Sequence, residues 1–272
     1  MPSFLRLPRR SEKPRFVGLT HVIDKGLPLP ELRSQLTAAG EYVDVWKLGF
    51  GTAYLDPTVE EKVATLGAAG IRACLGGTLL EVAWAQGRAE ECLNWAGESG
   101  FSCVEVSNGT CGMPLEAKRR LIATASRNFV AISEVGSKDP AIPVSPASWA
   151  EEMTGDLDAG ATWVLAEGRE SGTVGLYHSD GRVREELADT LAATIGLRWV
   201  VFEAPRAPQQ AWFVRRFGPG VNLGNVAPGE LLTVESLRLG LRADTFGLGQ
   251  PVLDGVDAGT SAGDDTRVTE KA

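Results

Sequence analysis

The stretch FSCVEVSNGTCGMPLEAKRRLIATASRNFVAISEVG, residues 101–136, contains a complete strand–helix–strand pattern. In its first run Cys103, Glu105 and Ser107 share one face and Val104 and Val106 the other, the period of two that a β-strand imposes. Pro114 then stands where a helix can begin, because its missing N–H costs nothing there. Apolar residues at helical spacing follow in LEAKRRLIATA, and a second β-rich run opens at Val130.

Outward from this stretch the same two-part unit recurs. β-rich runs begin near Val17, Val43, Ile71, Phe101, Val130, Thr162, Arg198 and Val221, each followed by a loop and a helical pattern. In TVEEKVATLGAAG, for example, Val59, Val63 and Leu66 form one apolar stripe. PASWAEEMTGDLDAG and EELADTLAATIG run into Gly160 and Gly196, which suit helix C-caps. The recurrence, at roughly 30 residues, is that of a βα unit. Eight such units match the (β/α)8 TIM barrel, typically about 250 residues long. A doubly wound open sheet would use fewer strands and gather its glycines at one nucleotide-binding turn. Here Gly26, Gly49, Gly76, Gly77, Gly109, Gly136, Gly168 and Gly224 follow strand after strand, so the expected α/β fold is the barrel, with a tight turn per unit at its mouth. The catalytic barrel is expected over residues 16–250. A flexible basic arm is expected over residues 1–15, with five Lys or Arg against one Glu, and a disordered acidic tail over 251–272.

The 272 residues are 43% apolar and 23% charged, with mean hydropathy near zero, as in soluble globular proteins. A net charge of -8 argues against a nucleic-acid platform, whose footprint would be basic. No apolar run is long enough to span a membrane, and the first fifteen residues lack the apolar core of a secretory signal. The four cysteines form no C-x-x-C pair, which points to the reducing cytoplasm and away from structural zinc.

Familiar motifs fail. Gly49-Phe-Gly51 begins like a dinucleotide fingerprint, but Tyr54 replaces its third glycine. Ser171 lies in GRESG, which is not a nucleophile elbow. With only His21 and His178, a Ser-His-acid triad has few candidates, and His21 reads as a packed core residue. Burial is likewise the reading for Cys103 and Cys111, and core or helix packing for Trp46, Trp163, Trp199 and Trp212. Proton transfer is therefore expected from lysine or carboxyl groups.

Barrel chemistry is built at the C-terminal ends of the strands. Those positions hold Asp24 and Lys25; Lys47; Thr78 and Glu81; Glu105, Ser107 and Asn108; Glu134 and Lys138; Glu167, Arg169 and Glu170; Glu203 and Arg206; Asn222 and Asn225. Strand parity directs Glu105 inward and groups Glu203 with Val201, while Glu134 shares parity with Ile132 and Val130 and is left ambiguous. Carboxylates with Asn and Ser oxygens suit a hard cation such as Mg2+. Lysines and arginines suit phosphate and carboxylate. Together they suggest a small anionic, phosphorylated ligand.

The segments GLTHVIDKG, VDVWKLGFGT, GGTLLEVA, VEVSNG, SEVGSK, DLDAGATWVLAEGRESG, VFEAPRAPQQ, VNLGNV and ESLRLGLRADT, in this order over residues 15–246, resemble the phosphosulfolactate synthase family. The resemblance implies Mg2+-dependent addition of sulfite to phosphoenolpyruvate, giving (2R)-phospho-3-sulfolactate, the first step of a coenzyme M route. It implies that Lys138 is the general acid. In that chemistry Lys25, Lys47, Arg169 and Arg206 are candidates to hold phosphate and sulfite. By position, Glu105 and Glu134 are candidate metal ligands, with Asp24 and Glu170 next. Two small-molecule substrates are expected, with no nucleic acid or membrane partner and a cytoplasmic homo-oligomer. The alternatives are a barrel adding another nucleophile to an enol phosphate, or an inactive stress or interaction protein like the family's heat-stress-associated plant relatives.

Overall fold

The structure, a computed structural model, describes residues 4–137 and 143–248. Lys138 and the acidic tail expected over 251–272 lie outside the described residues. Eight parallel strands close into a barrel in the order β1 to β8: β1 (Thr20–Asp24), β2 (Val45–Leu48), β3 (Arg72–Leu75), β4 (Cys103–Val106), β5 (Val130–Val135), β6 (Trp163–Ala166), β7 (Val200–Glu203) and β8 (Leu223–Val226). Each opens within three residues of its expected start, Val17 against Thr20 being the widest gap. The helices alternate with them: α1 (Leu29–Ala39), α2 (Thr52–Leu55), α3 (Val59–Ala68), α4 (Gly77–Ala85), α5 (Ala89–Glu98), α6 (Leu115–Ala125), α7 (Pro146–Asp158), α8 (Glu185–Thr194), α9 (Ala207–Phe217) and α10 (Leu231–Arg238). Two units depart from one helix per strand, with α2 and α3 after β2 and α4 and α5 after β3. None of the described helices is long and apolar enough to cross a membrane.

Period-two alternation divides the strand side chains between two cores. Val22, Trp46, Val104, Val106, Val164 and Phe202 face outward and pack against the helices. Leu19, Val45, Cys74, Cys103, Ile132, Trp163, Leu165 and Val201 face inward and fill the lower barrel as an apolar plug. Arg72 stacks over Trp163 at 5.6 Å, and the Phe16 ring approaches the same indole at 6.0 Å. At the strands' N-terminal ends, Arg238 donates to the carbonyls of Val221 at 2.6 Å and Leu19 at 2.8 Å, tying β8 to the chain entering β1.

Within the arm expected to be flexible, residues 10–15 are anchored to the barrel. Buried Arg15 pairs with Asp44 at 3.1 Å, Lys13 donates to the Gly40 carbonyl at 2.8 Å, and Arg10 meets Glu235 at 2.8 Å. These basic residues have specific partners far along the chain, so their charge is not a solvated run. The glycines also divide differently from the expectation. Gly26, Gly51, Gly112 and Gly136 adopt positive φ in loops after strands, but Gly70, Gly100, Gly160, Gly196 and Gly218 do so where helices end and the chain turns toward the next strand.

Candidate active site at the barrel mouth

Above the apolar plug the inward positions change character. Next along the strands after Val45, Cys103, Ile132, Leu165 and Val201 come Lys47, Glu105, Glu134, Glu167 and Glu203, all buried. This resolves Glu134: its apolar parity partner Ile132 belongs to the plug, so sharing a face with Ile132 directs Glu134 inward. These charged residues line a cavity of about 210 Å3, with Ile23, Phe50, Thr78, Arg169, Glu170 and Asn225 around it. A space this small suits a metabolite of a few heavy atoms better than a drug-sized ligand, which needs roughly 300 Å3 or more.

Lys47 is the hub of the floor. Its Nζ lies 2.8 Å from Glu105 Oε2 and 3.7 Å from Glu203 Oε1. Burial alone would lower its pKa, but the carboxylates of Glu105, Glu203 and Glu134 outweigh burial and hold the ammonium above lysine's ordinary value. Burial raises the Glu105 carboxyl, opposed by Lys47 and reinforced by Glu134. Burial also pushes Glu203 up to about 7, against Lys47 and with the push of Glu134. His21, one position below in β1, is held neutral by burial and by Lys47, and its Nδ1 accepts the Asn225 N–H at 3.3 Å.

Backbone donors fix the carboxylates. Glu105 Oε1 accepts the Gly77 N–H at 3.0 Å, and Glu203 Oε2 accepts the Gly168 N–H at 2.8 Å. The glycine pair after β3 permits the first contact by close approach: a Cβ on Gly77 would strike Ser107 Oγ, and one on Gly76 would lie 2.8 Å from the Leu48 carbonyl oxygen. Glu81, on α4, receives the Ser107 hydroxyl and the N–H groups of Thr110 and Cys111 at 2.8 and 2.9 Å, which ties down the loop after β4. The long loop after β6 is pinned to the end of β7 by the Tyr177 hydroxyl, which donates to the Glu203 carbonyl.

Five residues proposed from sequence, Lys47, Glu105, Glu134, Arg169 and Glu170, come together at this cavity. Lys47, expected to hold substrate anions, pairs with Glu105 and Glu203 on the cavity floor. Three others lie elsewhere. Lys25 is exposed past β1 and does not line the cavity. Arg206 stands before α9 on a separate groove with Trp212 and Arg182. Asp24 belongs to the outward parity of β1 and is fully buried behind the barrel wall. Its Oδ1 accepts the N–H groups of Gly26 and Leu27 at 2.8 and 2.6 Å, its Oδ2 accepts Trp46 Nε1–H at 3.1 Å, and Lys62 Nζ is 3.9 Å away. Both oxygens are thus committed to the fold. Asp24→Asn would set an amide NH2 against one of these donors, so a loss of about 1–3 kcal/mol in unfolding free energy is expected. Urea titration checks it, and divalent-cation affinity should stay at the wild-type value. Glu203, Glu167 and Asn225 were passed over as site residues. Parity already groups Glu203 with Val201; extending it to β6 groups Glu167 with Trp163 and Leu165 on the inward face.

The profile of the (2R)-phospho-3-sulfolactate synthase (ComA) family matches residues 8–244. Phosphosulfolactate synthase of Methanocaldococcus jannaschii is 42% identical over 236 residues, covering 85% of this chain and 94% of that protein. The Bacillus subtilis phosphosulfolactate synthase is 39% identical over 245 residues, covering 89% and 97%. Among solved structures, 3-keto-L-gulonate-6-phosphate decarboxylase from Vibrio cholerae aligns at a TM-score of 0.52 and 12% identity, over 82% of this chain and 95% of its own. Phosphonopyruvate hydrolase in complex with oxalate and Mg++ aligns at 0.52 and 15%, over 81% and 80%. At these identities the two solved structures share the barrel fold and nothing finer.

Proposed function

The chain belongs to the (2R)-phospho-3-sulfolactate synthase family, and on that premise we propose that it adds sulfite to phosphoenolpyruvate with the help of Mg2+. The observation that carries this reading is the cavity itself: a floor of interior carboxylates organised by one buried lysine, beneath a rim that carries Arg169. The sulfite sulfur lone pair forms the C–S bond at the methylene carbon. The displaced π electrons move to the phosphate-bearing carbon and into the carboxylate, and a proton delivered to that carbon completes (2R)-phospho-3-sulfolactate. In this reading Lys138 delivers the proton, Arg169 draws the phosphorylated substrate to the mouth, and the Lys47 hub holds Glu105 and Glu203 in register below. The product would enter a sulfonate route such as that to coenzyme M.

The donor set fits a hard cation. Among the described residues no three His, Cys, Asp or Glu side chains form a metal cage. Mg2+ does not need one: it is typically held by one or two carboxylates with water and substrate oxygens. Glu105, Glu134 and Glu170 line the cavity, and the buried Oδ1 of Asn225 in the same lining has no hydrogen-bond partner. A cation bound there supplies positive charge for the substrate carboxylate as negative charge spreads into it.

The test is to incubate the purified protein with phosphoenolpyruvate, sulfite and Mg2+ and follow the enol absorbance. Sulfite-dependent loss that EDTA abolishes is the expected result. Loss with another nucleophile only would reassign the substrate, and binding without turnover would make the chain an inactive relative. Arg169→Ala is expected to raise KM for phosphoenolpyruvate about tenfold with kcat within about twofold, the pattern of lost uniform binding. An unchanged KM would remove Arg169 from substrate capture.

A further inference from the structure

We propose that Asn225 is a ligand of the divalent cation, presenting its side-chain oxygen Oδ1 to the metal from the end of β8. This assignment rests on the cation-assisted reading above and adds a specific amide ligand to the carboxylates singled out from sequence. The backbone brings the residue there. Between Thr20 and Val22 of β1 the pairing with β8 advances from Leu223 to Val226, so β8 carries an extra residue at this point. Asn225 lies in that irregularity with φ 53, left-handed for a residue that is not glycine. Bulges of this kind redirect side chains beside active sites. The redirected side chain is 4% exposed and lines the mouth cavity.

The amide's orientation follows from its neighbour. Asn225 Nδ2 donates to Glu203 Oε1. The same carboxylate receives the Gly168 N–H and faces the Lys47 ammonium, so donors surround it. Turning the amide over would set Oδ1 against an oxygen that already accepts from the Lys47 side, oxygen facing oxygen. With Nδ2 on Glu203, Oδ1 is left buried without a hydrogen-bond partner. Such an acceptor is costly to leave unpaired, and the substrates cannot satisfy it. Ionised phosphate, carboxylate and sulfite offer only further acceptor oxygens. A cation satisfies such an acceptor without opposing the bound anions, and a neutral amide oxygen beside carboxylates is an ordinary hard-cation ligand. Glu203 then acts as a positioning residue: it holds the amide while its own oxygens stay on N–H donors and Lys47.

Mn2+ serves as the probe, its free-ion EPR signal reporting binding apart from turnover. Glycine tolerates a left-handed φ, so Asn225→Gly removes the amide without straining β8. Its Mn2+ Kd is expected to weaken about tenfold or more, comparable with losses on removing residues that support metal sites. The thermal transition should remain cooperative. Asn225→Asp keeps an oxygen at the position and should bind Mn2+ at least as tightly as wild type. A glycine variant within about twofold of wild type would overturn the assignment. If that variant does not fold, a tenfold loss in Asn225→Asp would overturn it instead. Wild-type protein that binds no Mn2+, with or without phosphoenolpyruvate, would sink the cation reading itself. Binding by wild type and glycine variant alike would sink only the ligand.

Discussion

Lys47→Met should lower the unfolding free energy by about 3–5 kcal/mol near pH 8, the usual cost of leaving buried charges without their partner. The ammonium faces Glu105 at 2.8 Å and Glu203 at 3.7 Å, with Glu134 close enough to raise both carboxyls. Methionine fills similar volume but takes the ammonium away from Glu105 and Glu203. Protonation of Glu105 and Glu203 would offset part of the loss, so the loss should depend on pH. In the wild type Glu203 already rises to about 7 by burial, opposed by Lys47. A carboxyl whose folded pKa exceeds its unfolded value binds more protons when folded, and its contribution to stability falls as pH rises between the two. Without Lys47 the folded values climb further, so the deficit should widen from pH 5 to pH 8. Lys47 itself contributes no slope in that window, because its folded pKa lies above lysine's ordinary value and its contribution is lost only in strong alkali. Urea titrations at the two pH values test this, and equal losses at both would show that the carboxyls are not coupled to Lys47. Turnover should fall at least about a hundredfold, as misplaced catalytic groups generally cost.

The barrel was legible because period-two runs and helical stripes recur at a βα interval, and all eight strands form where those runs lie. The inward glutamates were legible only in part, because the barrel interior changes composition along its axis. In β5 one inward face carries Ile132 in the plug and Glu134 in the mouth, so an apolar-or-polar test misreads it. Asp24 shows the converse. It ends a strand, as a site residue would, but parity sends it outward to Trp46 and Lys62. Lys25 and Arg206 follow their strands into loops, where parity no longer applies. The anchoring of Arg10 on Glu235 joins residues from opposite ends of the chain and has no local signal at all. Asn225 depends on an extra residue in β8 that only the pairing with β1 reveals.

Lys138→Ala should lower turnover by about 10²–10⁴-fold, the range for a lost general acid, with phosphoenolpyruvate affinity retained. The described groups at the mouth are poorly suited to the task. His21 is neutral, below the floor, with Nδ1 occupied by the Asn225 N–H. Lys47 is held as ammonium above its ordinary pKa by three carboxylates, which makes it a weaker acid than a free lysine. Arginine side chains in general keep their proton in proteins. Glu203, near 7, has the right acidity, but its oxygens already face Asn225, Lys47 and the Gly168 N–H. Lys138 follows β5 by three positions, in the chain leaving the strand that carries Glu134 into the mouth. If Lys138 is the acid, kcat in the wild type declines as pH rises through the pKa of its ammonium, and this limb disappears from the residual activity of the alanine variant. Glu203→Gln should lower kcat while leaving that limb in place. Wild-type turnover in Lys138→Ala, or loss of the limb in Glu203→Gln instead, would move the acid from Lys138 to Glu203 at the end of β7.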